Sequence, residues 1–276
     1  MLINKDTMKN TLKYCDYVLH TDNNNNNVTY VAPPVDPRIQ NAQLMKTTGD
    51  VDFLSRSLGY IYLSAQRNKL LHGCLLPSML VHAVKTCGGD RVKSVEQFNF
   101  IHKLFHIEFI FDPDNTPQEM FESTLNLLTE ISLVTINTTS GNISLNLQHN
   151  GNKEKVEFLL SLLQPFFDAY TIVAYLLPSR QYEFPLSFKT ISQLLQLDCA
   201  GLIRSGGLVS YESLSLHTLS NVITSYCKNK LLGVVKNASF ETLVSGVEGE
   251  ALVLLKGQLM GYVSDELRAY LTSAKL

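Results

Sequence analysis

Histidine is the side chain best suited to move a proton or hold a metal near neutral pH, so the seven histidines come first. They are His20, His72, His82, His102, His106, His149 and His217. His102 and His106 stand four apart on a segment that reads as helix, a spacing that could bring both rings to one metal ion. No third ligand stands at a recognisable spacing from them, so a structural role is the plainer reading and no metal or cofactor is expected. Asp112-Pro113-Asp114 opens like a calcium loop, but Pro117 stands where the glycine belongs and Ser123 where the closing glutamate belongs. A turn followed by a helix cap explains those residues. Arg67 and Lys69 could meet a phosphate, yet they read more simply as a solvated helix end. Arg204-Ser205-Gly206-Gly207 lacks the strand–loop–helix setting of a phosphate loop and reads as a turn. No G-x-S-x-G occurs. Cys15, Cys74, Cys87, Cys199 and Cys227 form no C-x-x-C pair and read as free thiols in a reducing compartment or as small buried hydrophobes.

The elements that must position these groups are mostly helices. From Asp52 onward, Phe53, Leu54, Leu58, Ile61, Tyr62 and Ala65 recur at three- and four-residue spacing. A helix is predicted from Pro77 through Val84, ended by Gly88-Gly89, and another over Lys93 to Phe105. Thr116, Pro117 and Glu119 suit the N-cap, N1 and N3 positions of a capping box, and that helix should run to about Glu130. Val134 to Asn137 and Ile143 to Leu147 read as a hairpin. Further helices are predicted over Glu154 to Tyr175, Leu186 to Leu197, Leu216 to Cys227 (with Ser215 as N-cap), Glu250 to Gln258 and Ser264 to Thr272. A second hairpin joins Leu231 to Val235 with Phe240 to Val244. The fold class is therefore mainly α, a multi-helix domain with two small β-hairpins, in which helix-then-hairpin recurs in winged-helix fashion. Helix 154–175 carries one polar stripe, Glu154, Glu157, Ser161, Gln164, Asp168, Thr171 and Tyr175, on an otherwise apolar cylinder. That pattern predicts a helix near the core with one exposed seam. Glu157 and Asp168 could serve as an acid–base pair, but along such a seam they better suit water or a docked partner.

Composition bounds the rest. With 276 residues, 45% of them hydrophobic and 17% charged, the chain can bury a core as one large domain or two small ones. A net charge of −2 offers no basic footprint for nucleic acid. The predicted recognition helix 216–227 holds no lysine or arginine, and 117–130 carries Glu119, Glu122 and Glu130, so no nucleic-acid partner is expected. Residues 1–50 hold a five-asparagine tract and clustered prolines and read as a flexible tail or linker; residues 51–273 read as the helical domain. The run Phe158 to Pro178 is broken by Gln164, Pro165 and Asp168, which argues against a membrane span.

Ala274-Lys275-Leu276 is a small–basic–leucine tripeptide similar to the peroxisomal S-K-L address, and is read as a targeting signal for the peroxisomal import receptor. Several ordered blocks carry a wider resemblance. They are Ser64-Ala65-Gln66-Arg67-Asn68-Lys69-Leu70-Leu71, Glu108-Phe109-Ile110-Phe111-Asp112-Pro113-Asp114-Asn115-Thr116, Glu157-Phe158-Leu159-Leu160 and Gln164-Pro165-Phe166-Phe167-Asp168-Ala169-Tyr170. In order and spacing they resemble the C-terminal half of the dihydroxyacetone phosphate acyltransferases, the peroxisomal branch of the glycerol-3-phosphate acyltransferase superfamily. The resemblance implies acyl transfer from acyl-CoA to dihydroxyacetone phosphate or glycerol-3-phosphate, on the way to ether lipids and glycerophospholipids. It also implies a peroxisomal, membrane-associated setting. Family chemistry uses H-x-x-x-x-D, the histidine as general base and the aspartate orienting it. Five residues after each histidine stand Asn25, Pro77, Cys87, Ile107, Phe111, Glu154 and Val222, none of them aspartate. No catalytic residue carries over, and the chain by itself is expected to be inactive, whether a fragment or a genuine short form. Glu157, Gln164 and Asp168 are then a candidate interdomain seam. The implied partners are a catalytic acyltransferase half or full-length homologue and the alkyl-transferring synthase of ether lipid synthesis; the alternative is a non-catalytic regulatory or scaffold protein.

Overall fold

A computed structural model describes residues 19–21, 28–30, 53, 56–61, 63, 71–149, 151–179, 183–247 and 249–273. The Arg67 and Lys69 block and the terminal tripeptide lie outside them, as does most of the tail. Within the tail, Leu19–Thr21 (β1) and Val28–Tyr30 (β2) pair antiparallel on either side of the asparagine tract, so this stretch holds a small hairpin that composition alone does not show.

The described chain is mainly helical. Leu75–Cys87 (α1) ends where Gly88, at φ +63°, takes the left-handed conformation. Arg91–Leu104 (α2) starts on Asp90, whose carboxylate accepts the Lys93 N–H at 2.9 Å. Pro117–Glu130 (α3) carries the full capping box: Thr116 Oγ1 accepts the Glu119 N–H at 3.2 Å, and Glu119 Oε2 accepts the Thr116 N–H at 2.7 Å. Val134–Ile136 (β3) and Ile143–Leu145 (β4) form the expected hairpin.

Next comes the long helix Asn152–Ser179 (α4), which continues through Pro165. Leu186–Ser187 (β5) is a strand, not the start of a helix. Ser187 instead caps Phe188–Arg204 (α5), accepting the Thr190 N–H at 3.1 Å. After a 3-10 turn at Tyr211–Leu214, Ser215 caps Leu216–Lys228 (α6). The strands Leu232–Lys236 (β6) and Thr242–Val247 (β7) follow, then Gly249–Leu259 (α7) and Asp265–Ser273 (α8).

The repeat seen in sequence is a repeat of topology. In the second unit, α4, β5, α5, α6 and the β6–β7 hairpin build a three-stranded sheet in the order β5-β7-β6, which is winged-helix connectivity. The first unit, α1, α2, α3 and β3–β4, has no strand where β5 stands, but one ladder-like bond fills the place: the Ile143 N–H donates to the Gly89 carbonyl at 2.7 Å. Gly89 sits at φ +87°, and a Cβ there would lie 2.1 Å from the Ile143 carbonyl oxygen, so only glycine permits this crossing.

Helix α4 is the strut around which both units pack. Ser78 donates to the Leu159 carbonyl at 2.8 Å and His82 Nε2 lies 3.0 Å from the Leu160 carbonyl, both ties from α1. Phe105, Phe109, Phe166, Phe167 and Tyr170 meet at ring-centre separations of 4.9–6.0 Å, joining α4 to the end of α2. This helix is long and apolar enough to cross a bilayer, but 78% of its most apolar stretch is buried inside the fold.

Candidate functional site

The polar stripe on α4 is the first place to look, and the structure divides it. Its N-terminal residues Glu154, Glu157 and Ser161 are exposed; Glu157 lies 3.9 Å from the Lys153 ammonium. Toward its C-terminal end, Gln164 and Asp168 meet the turn between this chain's own α7 and α8, and Tyr175 meets α7. Asp168 is 1% exposed, and its Oδ1 accepts the Ser264 N–H at 2.9 Å and the Gln164 amide at 3.0 Å. Gln164 also donates to the Tyr262 carbonyl at 2.8 Å, and the Lys256 ammonium lies 4.5 Å over the Tyr175 ring. The expectation of one continuous exposed seam is therefore corrected: Gln164 and Asp168 clasp the α7–α8 turn, and Glu157 alone of the three faces solvent. The physical reason is that a polar stripe shows where a helix meets polar groups, and here backbone N–H and C=O groups of 262–264 supply them. Burial pushes the Asp168 carboxyl up to about 6, against the pull of the Ser264 N–H and the Gln164 amide.

Sequence reasoning missed a second carboxyl at the edge of the core, Glu108, half-buried with its Oε1 sealed from solvent. It stands in the loop after α2 and accepts the Asn221 amide of α6 at 3.0 Å through Oε2, while Oε1 has no partner among the described residues. The Tyr170 hydroxyl from α4 is buried and equally unpartnered among them, and Tyr226 of α6 donates to the Tyr170 carbonyl at 2.6 Å. Burial lifts Glu108 to about 7, with Asn221 opposing, and burial together with the Glu108 charge raises Tyr170 well above its ordinary range. The signal in the sequence was only a charge heading an apolar run, with nothing to show that α6 would cover it.

The remaining candidates separate. The His102 ring packs 4.1 Å from that of Phe111, with Nε2 buried and unpartnered among the described residues, while His106 is exposed with Nδ1 3.1 Å from the Lys103 carbonyl. No cluster of three or more His, Cys, Asp or Glu able to hold a metal occurs among the described residues. Burial drives His82 down to about 4, too weak a base for neutral pH. His149 and Glu154 are both exposed. His217 approaches Asn221 at 3.4 Å, which places an amide, unable to relay a proton, between it and Glu108. Asp112 accepts the Asp114 N–H at 3.0 Å and the Asn115 amide at 2.7 Å, a turn as expected. Gly206, at φ +76°, closes the end of α5, so the residues around it form a turn and not a phosphate loop.

What this arrangement offers is a packed set of helices with one buried carboxyl, Asp168, and one half-buried, Glu108. Comparison with known proteins supplies the lineage. The profile of the glycerol-3-phosphate acyltransferase C-terminal region matches residues 47–235. Proteins named dihydroxyacetone phosphate acyltransferase from Oryctolagus cuniculus and Homo sapiens are each 30% identical over 175 residues, covering 63% of this chain and 24% of each relative. The Mus musculus protein of that name is 27% identical over 205 residues, 73% of this chain and 28% of its own length. The chain thus matches about a quarter of the length of these relatives. Helices α7 and α8, whose connecting turn bonds Gln164 and Asp168, lie beyond the family profile's match. By the extent of that match, the chain belongs to the glycerol-3-phosphate acyltransferase family through the family's C-terminal region.

Proposed function

We propose that this chain serves acyl transfer to dihydroxyacetone phosphate or glycerol-3-phosphate as the family's helical C-terminal region, contributing packing surface and no chemistry of its own. The observation that carries this reading is the combination of a family match over 47–235 with the absence of H-x-x-x-x-D at any histidine. The reading is supported by His82, held against the Leu160 carbonyl, and by the Asn221 amide that stands between His217 and Glu108. The matching experiment is turnover: purified 1–276, supplied with acyl-CoA and dihydroxyacetone phosphate, is expected to release CoA no faster than buffer, and release above buffer overturns it. We place the protein in ether lipid and glycerophospholipid synthesis at the peroxisome, a placement supported by the relatives' name and by Ala274-Lys275-Leu276. A fluorescent protein fused ahead of the chain is expected in peroxisomes and dispersed once 274–276 is deleted. Identical distribution of the two fusions contradicts that address.

A further inference from the structure

The described surface holds an apolar knob and an apolar hole, neither of them filled by another described residue. The knob is the tip of the β6–β7 hairpin. Phe240 there is 82% exposed, although its backbone occupies the left-handed region at φ +60°, a conformation that favours glycine or asparagine. The tip is rigid: Asn237 Oδ1 accepts the N–H groups of Ser239 and Glu241 at 3.0 and 2.9 Å, and the Phe240 N–H donates to the Asn237 carbonyl at 3.0 Å. Val234 and Val235 on β6 are also exposed. A pre-ordered aromatic held outward loses little entropy on docking, the behaviour of an interface anchor.

The hole is a groove of about 200 Å³ between α2, α6 and α7. Leu104, Tyr226, Leu231 and Leu255 form its apolar lining, and Leu254, 73% exposed, stands at its rim. Small-molecule sites span roughly 300–1,000 Å³, so the groove suits one large side chain better than a free ligand. Helix α7 is apolar on both sides, with Leu252, Leu255 and Leu259 inward and Val253 and Leu254 outward, a pattern that calls for a cover.

We propose that the chain forms a two-fold symmetric dimer in which Phe240 of each copy enters the groove of the other. Charge complementarity selects a second copy as the occupant. Lys103 lines the groove and is exposed, while Glu241 follows Phe240 on the knob; Glu250 precedes the groove residue Ala251, while Lys236 flanks the knob. Two-fold symmetry makes both insertions identical and closes the assembly. Two such insertions bury on the order of 1,000 Å², so a reversible dimer is expected.

Sedimentation of the full chain over about 1–100 µM tests this. A dimer of twice the 30.9 kDa chain mass is expected, with Phe240→Ser and Leu254→Asp each raising its dissociation constant at least about tenfold. Both positions are exposed, so unchanged melting of the variants shows that folding is intact. Lys103→Glu and Glu241→Lys are each expected to weaken the dimer, and the two together to restore it. Monomer throughout, open-ended polymers, or a dimer indifferent to Phe240→Ser and Leu254→Asp overturns the proposal, as does a double charge swap that restores nothing. Sedimentation of a strictly monomeric chain with anionic phospholipid vesicles overturns it in favour of a membrane contact.

Discussion

Glu108 shows how far a single residue departs from its sequence context. It heads the apolar run Glu108-Phe109-Ile110-Phe111, and only the packing of α6, more than a hundred residues later, half-buries its carboxyl. Burial raises its folded value from 4.5 to about 7, so the protonated form is the one the fold favours. Its contribution to stability is therefore fullest below about pH 4.5 and is lost as pH rises through about 7. Glu108→Gln keeps an acceptor for Asn221 and removes the charge. At pH 8 the variant is expected to be more stable than the wild type by about 2 kcal/mol, and at pH 4 nearly equal to it. Urea midpoints at the two pH values check this, and a variant less stable at pH 8 contradicts the role given to burial. Asp168 was legible as polar and as one member of a stripe. Its burial was not, because the stripe's spacing is the same whether water or a neighbouring turn satisfies it.

At the scale of elements, local chemistry was far more readable. Thr116-Pro117-Gln118-Glu119 specifies a helix start with atoms that all lie within one turn, and the structure reproduces it bond for bond. The two hairpins and Ser215 as a cap were legible for the same reason. Strand β5 was not, since Leu186-Ser187 has no strand character apart from pairing with Val244 and Leu243 of β7. Gly89 likewise looked like a helix stop and is also the crossing point beneath β4. Gly89→Ala combines a positive φ with a Cβ driven into the Ile143 carbonyl, and is expected to cost more than about 2 kcal/mol. Gly88, at φ +63° with open space around its Cβ position, supplies the comparison: Gly88→Ala is expected to cost only about 1 kcal/mol. Chemical denaturation of both variants measures the difference, and equal losses contradict the close approach assigned to Gly89.

For the whole molecule, mainly helical architecture and family membership were both readable, the first from periodicity and the second from ordered sequence blocks. The pairing of a winged-helix unit with a related helix-and-hairpin unit on one buried strut was visible only as a repeated helix-then-hairpin. Such connectivity elsewhere invites a nucleic-acid reading, but here Tyr226, Asn221 and Ser225 of the second unit's third helix face α4 and the end of α2. That helix is used to hold the fold together. The C-terminal half of the stripe on α4 has a similar fate, closed over by α7 and the α7–α8 turn. What remains is a scaffold that belongs to an acyltransferase family and lacks that family's base-and-aspartate pair. The most direct measurement is CoA release from acyl-CoA with dihydroxyacetone phosphate as acceptor, run on the purified chain, on its His149→Ala variant and on a full-length family enzyme as positive control. Wild type and variant are both expected at the buffer rate. Turnover by the wild type that His149→Ala abolishes would show that His149 and Glu154 act as the missing pair, and would contradict the non-catalytic assignment.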